Sequence, residues 1–270
     1  MNKSKITQSR RIVVKVGTST LTHASGKVNI RHIENLCKVL SDLQNAGKEI
    51  ILVSSGAIGV GVGKLGLSSR PDETSKKQAL AAIGQCELMF MYDKFFAEFN
   101  QTVAQVLLTA DIVDQDKSRL NVQNTFKELL DIGVIPIVNE NDTVATDELE
   151  GLSIGDNDTL SAIVAKLTGA DLLVILTDID GLYDKDPRKH EDAARIPHVP
   201  AINREIVRLA GGAGSKFGTG GMATKISAAE ISTGAGIPCC VIGGDNPANL
   251  YDLFDGKDIG TIFGNLEENI

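Results

Sequence analysis

Residues 10–17 read RRIVVKVG, an apolar run of Ile and Val that ends in a lysine and a glycine. Five further runs have the same character: KEIILVSSG at 48–56, TVAQVLLTAD at 102–111, GVIPIVNEND at 133–142, ADLLVILTD at 170–178 and GIPCCVIGG at 236–244. Short runs that are rich in β-branched residues and apolar at nearly every position are typical of strands buried on both faces of a sheet. The sequence therefore predicts a mostly parallel sheet.

Helical patterns separate these runs. The clearest cover 30–46, 74–99, 118–132, 158–167 and 222–233. Strands that alternate with helices place the helices on both faces of the sheet. We therefore expect an α/β protein, a three-layer αβα sandwich around a mostly parallel central sheet.

Most predicted strands end in polar residues or glycine. The ends are Lys15-Val16-Gly17, Ser54-Ser55-Gly56, Thr109-Ala110-Asp111, Asn139-Glu140-Asn141-Asp142 and Thr177-Asp178. The carboxyl ends of the strands of an open parallel sheet face the crevice in which ligands bind. Turns and helix caps use the same residue types, so a single strand end decides nothing. Five such ends together indicate a ligand site.

Two lysines stand where a positive charge needs an explanation. Lys15 lies inside an apolar strand, so it either faces an anion or a carboxylate or reaches solvent along its stem. Lys225, in GSKFGTGGMATKISAAE at 214–230, falls in the first turn of a predicted helix. A cation there is unfavourable unless an anion lies between it and the free amides. Lys225 therefore indicates an anion site, or it is a solvated lysine.

The tract NENDTVATDELEGLSIGDNDTL at 139–160 is rich in amides and carboxylates. Among its acidic residues are Asp142, Asp147, Glu148, Glu150, Asp156 and Asp158. A solvated loop explains such a run. Because GDNDTLSAIVAKL also looks like a helix start, residues 156–158 are expected to cap that helix and to face the crevice. Such side chains suit a ligand that carries an ammonium group.

Composition excludes several classes of protein. The chain has 270 residues, a net charge of -8 and a pI near 5.1, which argues against a general nucleic-acid binder. It has no apolar run of membrane-spanning length and no signal-peptide pattern, so we expect a cytoplasmic protein.

The cysteines lack metal-ligand spacing and are expected to be buried, reduced thiols: Cys37, Cys86, Cys239 and Cys240. The histidines are expected at the surface: His23, His32, His190 and His198.

Two segments match dinucleotide-binding patterns by spelling, GVGKLG at 61–66 and GTGGMA at 218–223. The first glycine of such a pattern should directly follow a strand, and neither segment meets this condition. A P-loop sequence is also missing. Any nucleotide must therefore be bound by another architecture.

Six segments of the chain follow one another in this order: KVGTSTLT, VSSGAIGVG, NENDTV, GDNDTLSA, LTDIDGLYDKDP and GTGGMATKISAAE. The same order is found in the amino acid kinase family, which the chain resembles over residues 11–263. TDIDGLY followed by DP is shared across that family. VSSGAI, NENDTV and GTGGMATK together resemble its glutamate-phosphorylating members.

The resemblance implies transfer of the γ-phosphoryl group of ATP to the side-chain carboxylate of L-glutamate, which gives L-glutamyl 5-phosphate and begins proline biosynthesis. It implies Mg²⁺ carried by ATP, with no protein ligand assigned. Residues 1–270 would form a single amino acid kinase domain, with a glutamate-binding lobe at about 10–165 and an ATP-binding lobe at about 166–270. The PUA domain that follows in many members would be missing.

The resemblance also assigns residues. Lys15 and Lys225 would be catalytic, and Asp158 would orient both. Backbone amides at Gly17 and Gly56 would contact the phosphoryl group. The glutamate site would be formed by Ser55, Asp142 and Asn157, with Asp142 facing the ammonium group. The ATP site would comprise Lys15, Thr177, Asp178, Thr219, Gly220, Gly221, Met222, Ala223, Thr224 and Lys225.

Partners follow from the same resemblance. L-Proline is expected to act as a feedback inhibitor at the glutamate site, and a downstream glutamyl phosphate reductase is a possible partner. The chain is also expected to form a homo-oligomer, a dimer or a tetramer. No nucleic acid or membrane is expected to bind. Three alternatives remain: a kinase of this fold that uses aspartate, acetylglutamate or carbamate; a dinucleotide-dependent oxidoreductase; and a non-catalytic nucleotide sensor or storage protein.

Overall fold

The computed structural model describes residues 3–23, 26–109, 115–144, 156–211 and 221–266. The strands are β1 (Arg11–Val16), β2 (Glu49–Val53), β3 (Val103–Leu108), β4 (Ile135–Glu140), β5 (Leu172–Thr177), β6 (Leu182–Tyr183), β7 (Arg195–Ile196), β8 (His198–Val199), β9 (Cys239–Gly243) and β10 (Thr261–Phe263). The helices are α1 (Ser4–Thr7), α2 (Thr18–Leu21), α3 (Ile30–Asn45), α4 (Ala57–Leu65), α5 (Thr74–Glu98), α6 (Asp116–Asp131), α7 (Asn157–Thr168), α8 (Arg204–Gly211), α9 (Met222–Gly234) and α10 (Asn249–Phe254).

Within the described ranges, the central sheet has eight strands in the order β3-β4-β2-β1-β5-β9-β10-β8. Its strand pairs are parallel except for β9 with β10. All the strands predicted from apolar runs are present, and the mostly parallel sheet is confirmed. Strands β6 and β7 form a separate antiparallel pair.

Helices cover both faces of this sheet. Successive residues of β1 point to opposite faces, so Val14 packs with the buried side chains of α3, α5 and α10, whereas Val13 packs with those of α6, α7 and α9. Strands β1, β2, β4, β5 and β9 each contribute buried side chains to two apolar clusters, one on each face of the sheet. The three-layer αβα architecture is confirmed.

The strand order places the carboxyl ends of β1 and β5 side by side in the middle of the sheet. Strands β2, β3 and β4 lie on one side of β1, whereas β5 and the sheet strands after it lie on the other side. Val16, at the end of β1, pairs with Leu176 near the end of β5. In open parallel sheets, ligands bind at the point where the strand order reverses in this way.

Gly61, the first glycine of the dinucleotide-like segment 61–66, serves helix packing. Residues 61–65 of that segment lie within α4, a helix missing from the clearest predictions. A Cβ atom on Gly61 would lie 2.1 Å from the carbonyl oxygen of Leu80, and one on Gly84 would lie 1.8 Å from that of Ala57. The backbones of α4 and α5 therefore touch where a side chain would keep them apart, and 61–66 is not a dinucleotide-binding turn.

Two expectations about single residues are wrong. His32 is buried, at 7% exposure, because it lies on the face of α3 that carries Ile33 and Leu36 into the core. Cys86 is exposed on α5, whereas Cys37, Cys239 and Cys240 are buried, and all four are free thiols. No helix in the described ranges combines the length and apolar character needed to cross a membrane.

Candidate active site

A buried carboxylate between two buried lysines lies at the carboxyl end of β1. The Nζ atom of Lys15 is 2.6 Å from Oδ1 of Asp158, and that of Lys225 is 3.1 Å from Oδ2. The exposed fractions of Lys15, Asp158 and Lys225 are 7%, 1% and 5%. We call these three residues the lysine–aspartate cluster. The alternatives in which either lysine reaches solvent are therefore wrong.

Local structure explains why these residues meet. Lys15 follows Val13 by two positions, so it points to the sheet face that α7 and α9 cover. Helix α7 begins beside this strand end, where the carboxylate of Asp156 accepts a hydrogen bond from the Thr159 amide at 2.8 Å. Asp158 therefore lies in the first turn of α7, as Lys225 lies in that of α9.

Thr224 completes the coordination of Asp158. Its hydroxyl group is 2.7 Å from Oδ2 of Asp158 and 2.8 Å from the carbonyl oxygen of Gly221. A hydroxyl group has one hydrogen, so it donates to one of these acceptors at a time. Both oxygens of the carboxylate are thus engaged by the side chains of β1 and α9.

The charges of the cluster support one another. Burial by itself would raise the pKa of Asp158, but the charges of Lys15 and Lys225 and the hydrogen bonds from Lys15 and Thr224 outweigh it and hold this pKa below its ordinary value. Asp158 is therefore ionised at neutral pH. Two ammonium groups and one carboxylate leave a net charge of +1. A buried positive charge beside the ends of parallel strands is suited to an anion.

A second cluster adjoins the first. The Nδ2 atom of Asn157 is 2.9 Å from Oγ of Ser55, 3.2 Å from the carbonyl oxygen of Ser54 and 3.1 Å from Oδ1 of Asn139. The Nδ2 atom of Asn139 donates in turn to Oε1 of Gln85 at 2.8 Å. We call Ser55, Gln85, Asn139 and Asn157 the amide cluster. Because Asn157 precedes Asp158, the two clusters occupy adjacent positions of α7.

Sequence reasoning placed Asn139 at one of the polar strand ends but gave it no role of its own, and it missed Gln85 altogether. Asn139 stands in the NENDTV segment, which was singled out for other residues, and it is 2% exposed. Gln85 lies in the middle of α5, where a single polar residue carries no signal of its own. Its contact with Asn139 exists only because α5 passes the end of β4.

Two glycines line the same edge. Gly17 directly follows β1, and a Cβ atom there would lie 3.6 Å from Nζ of Lys15. Gly56 follows Ser55 with a φ of 94°, a conformation that glycine adopts readily and other residues rarely. A Cβ atom on Gly56 would lie 3.4 Å from the side chain of Thr18. The turns after β1 and β2 therefore pack against each other.

The remaining predicted residues lie around these clusters. Asp142 is half-buried in the turn after β4. Thr177 ends β5, and its hydroxyl group donates to exposed Asp178 at 3.0 Å. Met222 packs into the core, and Ala223 is exposed. Outside the described residues lie Ala110, Asp111, Asp147, Glu148, Glu150, Thr219 and Gly220.

An open depression of about 740 Å³ lies at the other end of the sheet. Lys5, Ser9, Lys166 and Asp171 are among the residues that line it. These residues precede or begin the strands, whereas the lysine–aspartate cluster lies at the strand ends. Lys166 is exposed, so its charge needs no bound anion. We therefore place the candidate active site at the two clusters.

Comparison with known proteins identifies the family of this chain. The model of the amino acid kinase family matches residues 10–243. A protein named Glutamate 5-kinase from Clostridium perfringens is 55% identical over 262 residues, covering 97% of this chain and 97% of the relative. Its namesake from Listeria monocytogenes is 54% identical over 267 residues, covering 98% of this chain and 97% of the relative.

Solved structures share the fold at low identity. Isopentenyl phosphate kinase from T. acidophilum, in a product complex, has a TM-score of 0.66 at 20% identity and covers 94% of this chain and 99% of its own. Carbamate kinase from Giardia lamblia, bound to AMP-PNP, has a TM-score of 0.67 at 16% identity and covers 95% of this chain and 99% of its own. The chain belongs to the amino acid kinase family and, within it, to the glutamate 5-kinase group.

Proposed function

We propose that this protein transfers the γ-phosphoryl group of ATP to the side-chain carboxylate of L-glutamate, giving ADP and L-glutamyl 5-phosphate, the first step of proline biosynthesis. The observation that carries the proposal is the contact of two clusters on one helix, an electropositive one at Asp158 and an amide-rich one at Asn157. Near-full-length relatives named Glutamate 5-kinase support the substrate.

Phosphoryl transfer suits the lysine–aspartate cluster. A carboxylate oxygen of glutamate attacks the γ-phosphorus while the bond to the bridging oxygen of ADP breaks, and negative charge spreads over the transferring oxygens and the leaving group. Lys15 would contact the transferring phosphoryl group, and Lys225 would stabilise the leaving side. Asp158 would hold both ammonium groups in place without a movement at the moment of reaction. Preorganised charges are most effective in such a water-poor setting.

The two substrates would approach from different parts of the chain. The amide cluster belongs to residues 10–165, the proposed glutamate lobe, with Ser55, Asn157 and Asp142 as the glutamate contacts. The nucleotide would lie on residues 166–270, against Thr177, Asp178 and the segment from 219 to Lys225. Backbone amides at Gly17 and Gly56 would reach the phosphoryl oxygens, since neither residue has a side chain to block them.

Asp158, the carboxylate nearest to the proposed phosphates, is not needed as a metal ligand if ATP itself carries the metal. Both oxygens of Asp158 already contact cationic or hydroxyl groups. We therefore assign Mg²⁺ to the phosphates of ATP, where it would offset their negative charge, and give it no protein ligand.

We also propose an inhibitor, a downstream enzyme, a cellular compartment and an oligomeric state for this protein. L-Proline carries an α-carboxylate and an ammonium group but no side-chain carboxylate, so it would fill the glutamate site without accepting a phosphoryl group. The acyl phosphate product is reactive, and a glutamyl phosphate reductase would consume it. We expect the protein to work in the cytoplasm as a homodimer or homotetramer.

One assay separates the proposal from its alternatives. Formation of ADP from ATP is measured with and without L-glutamate, and hydroxylamine converts the acyl phosphate into a hydroxamate. We expect L-glutamate-dependent ADP and an equal amount of hydroxamate. Faster turnover with L-aspartate, N-acetyl-L-glutamate or carbamate would identify another kinase of this fold. Absence of turnover, with stabilisation by NAD or by ATP alone, would favour the oxidoreductase or the sensor.

A further inference from the structure

The amides of the amide cluster have a direction that the backbone fixes. An amide side chain donates through nitrogen and accepts through oxygen. The backbone N–H of Glu140 lies 2.9 Å from the side chain of Asn139, and because an N–H group only donates, the facing atom is Oδ1. The Nδ2 atom of Asn139 therefore faces Gln85, which must present its oxygen, Oε1, at 2.8 Å.

The same reasoning orients Asn157. The carbonyl oxygen of Ser54 only accepts, so the atom of Asn157 that faces it at 3.2 Å is Nδ2. This nitrogen also faces Oγ of Ser55 and Oδ1 of Asn139, so its two hydrogens are fully used. The Oδ1 atom on the other side of the amide is buried and has no hydrogen-bond partner among the described residues.

A buried acceptor without a donor is costly. Leaving one unpaired costs about 1 to 3 kcal/mol, so such an atom in a folded protein needs an explanation. A group that meets Oδ1 of Asn157 must donate a hydrogen bond, as an ammonium group does and an ionised carboxylate does not. The amide cluster thus ends in one buried acceptor that has no partner among the described residues, and this atom lies beside the lysine–aspartate cluster.

We propose that Gln85 is a positioning residue for the amino-acid substrate. Its Oε1 atom accepts a hydrogen bond from Nδ2 of Asn139, so Oδ1 of Asn139 accepts one from Nδ2 of Asn157. This arrangement leaves the buried, unpaired Oδ1 atom of Asn157 as the acceptor for the substrate's ammonium group. Gln85 thereby favours an amino acid over an analogue that lacks the ammonium group. This inference rests on the proposed function, and it adds a residue of α5 that contacts no substrate.

A packing role and a positioning role for Gln85 predict opposite rankings of two variants. Gln85→Glu keeps an acceptor oxygen at the same position but adds a charge, whereas Gln85→Met keeps the length and the apolar stem but has no oxygen. If Gln85 only fills space, methionine is the better replacement. If its oxygen positions Asn139, glutamate is the better one, because the buried Nδ2 of Asn139 keeps its partner.

Kinetics at saturating ATP test the proposal. We expect Gln85→Met to raise the KM for L-glutamate by about tenfold or more, the scale of one lost buried hydrogen bond, with the KM for ATP unchanged within about twofold. Gln85→Glu should stay within about threefold of the wild type. The preference for L-glutamate over glutarate, which lacks the ammonium group, should fall in Gln85→Met alone. Thermal unfolding of each variant monitors the fold.

Other outcomes overturn the inference. A methionine variant that matches the wild type, or a glutamate variant that is the more impaired of the two, would show that Gln85 only packs. An unchanged preference over glutarate would remove the link to the ammonium group. If the methionine variant fails to fold, Gln85→Leu, which also lacks an acceptor, must show the same KM increase. A wild-type protein that forms no hydroxamate would instead refute the proposed function.

Discussion

The ammonium group of Lys15 lies 2.6 Å from Oδ1 of Asp158, so a buried ion pair joins the central strand β1 to the start of helix α7. Lys225 reaches the other oxygen of the same carboxylate from α9. Removing one member of such a group leaves a buried charge with fewer partners, which is costly to stability. The cluster therefore links the fold to the proposed chemistry.

Replacing either lysine should remove transition-state stabilisation. We expect Lys15→Ala and Lys225→Ala each to lower turnover by about 100-fold or more, the scale of one preorganised electrostatic group. Glutamate-dependent hydroxamate formation measures the loss, and Lys166→Ala, which changes an exposed lysine of α7, is the control. A loss of less than about tenfold, under roughly 1.4 kcal/mol of barrier, would contradict the role of that lysine.

The two aspartates at the start of α7 should respond differently to the same change. Asp158→Asn removes the carboxylate that both buried lysines share, so we expect a loss of about 3 to 5 kcal/mol in the free energy of unfolding, together with lost turnover. Asp156→Asn keeps an equally good helix cap, and its stability should stay within about 0.5 kcal/mol of the wild type. Urea unfolding compares them. Similar losses in both variants would mean that the charge of Asp156 matters as much to stability as the carboxylate that the two lysines share.

His32 should make stability depend on pH. Burial lowers the pKa of His32 from its ordinary value of 6.5, and the nearby charge of Asp245 only partly opposes this. The unfolded chain therefore takes up a proton at this residue at a higher pH than the folded chain does. Stability from the neutral imidazole is present above about pH 6.5 and is lost as the pH falls through the lower folded-state pKa.

Urea midpoints at pH 7.5 and pH 5.5 test this dependence. We expect the midpoint to fall less on acidification in His32→Gln than in the wild type, because the variant has no group to protonate there. His190→Gln, at an exposed position, should behave as the wild type. An equal decrease in all three proteins would assign the effect to other groups.

Inhibition by L-proline should compete with L-glutamate. Both ligands would present a carboxylate and a positively charged nitrogen to the same site, so binding of one excludes the other. Glutamate saturation curves at several proline concentrations should show a rising KM and an unchanged maximal rate. Inhibition that excess glutamate cannot relieve would instead indicate a separate proline site.

The sequence predicted the strands and the lysines better than the contacts between distant elements. Apolar runs reveal buried strands locally, and a lysine such as Lys15 inside one of them is conspicuous. The bond between Gln85 and Asn139 depends on where α5 crosses β4, which no local pattern encodes. Burial of His32, by contrast, follows a local pattern, because His32, Leu36 and Leu40 recur on one face of α3.

A final prediction concerns the backbone contact that positions α4. A Cβ atom on Gly84 would lie 1.8 Å from the carbonyl oxygen of Ala57, and since that atom belongs to the backbone, α4 and α5 would have to separate. Alanine normally stabilises a helix relative to glycine by about 1 kcal/mol, but here overpacking should reverse the sign and cost about 1 to 3 kcal/mol.

The turn at Gly56 leads directly into α4, so Gly84→Ala should also reduce turnover with L-glutamate. Gly234→Ala is the matched control, because that helical glycine has no atom within 4 Å of an added Cβ and the change should stabilise the protein slightly. Thermal unfolding and hydroxamate formation compare both variants with the wild type. If Gly84→Ala proved as stable and active as Gly234→Ala, the close contact of α4 and α5 would not be needed to hold the turn at Gly56, and the position of that turn would have to depend on its packing against Thr18 instead.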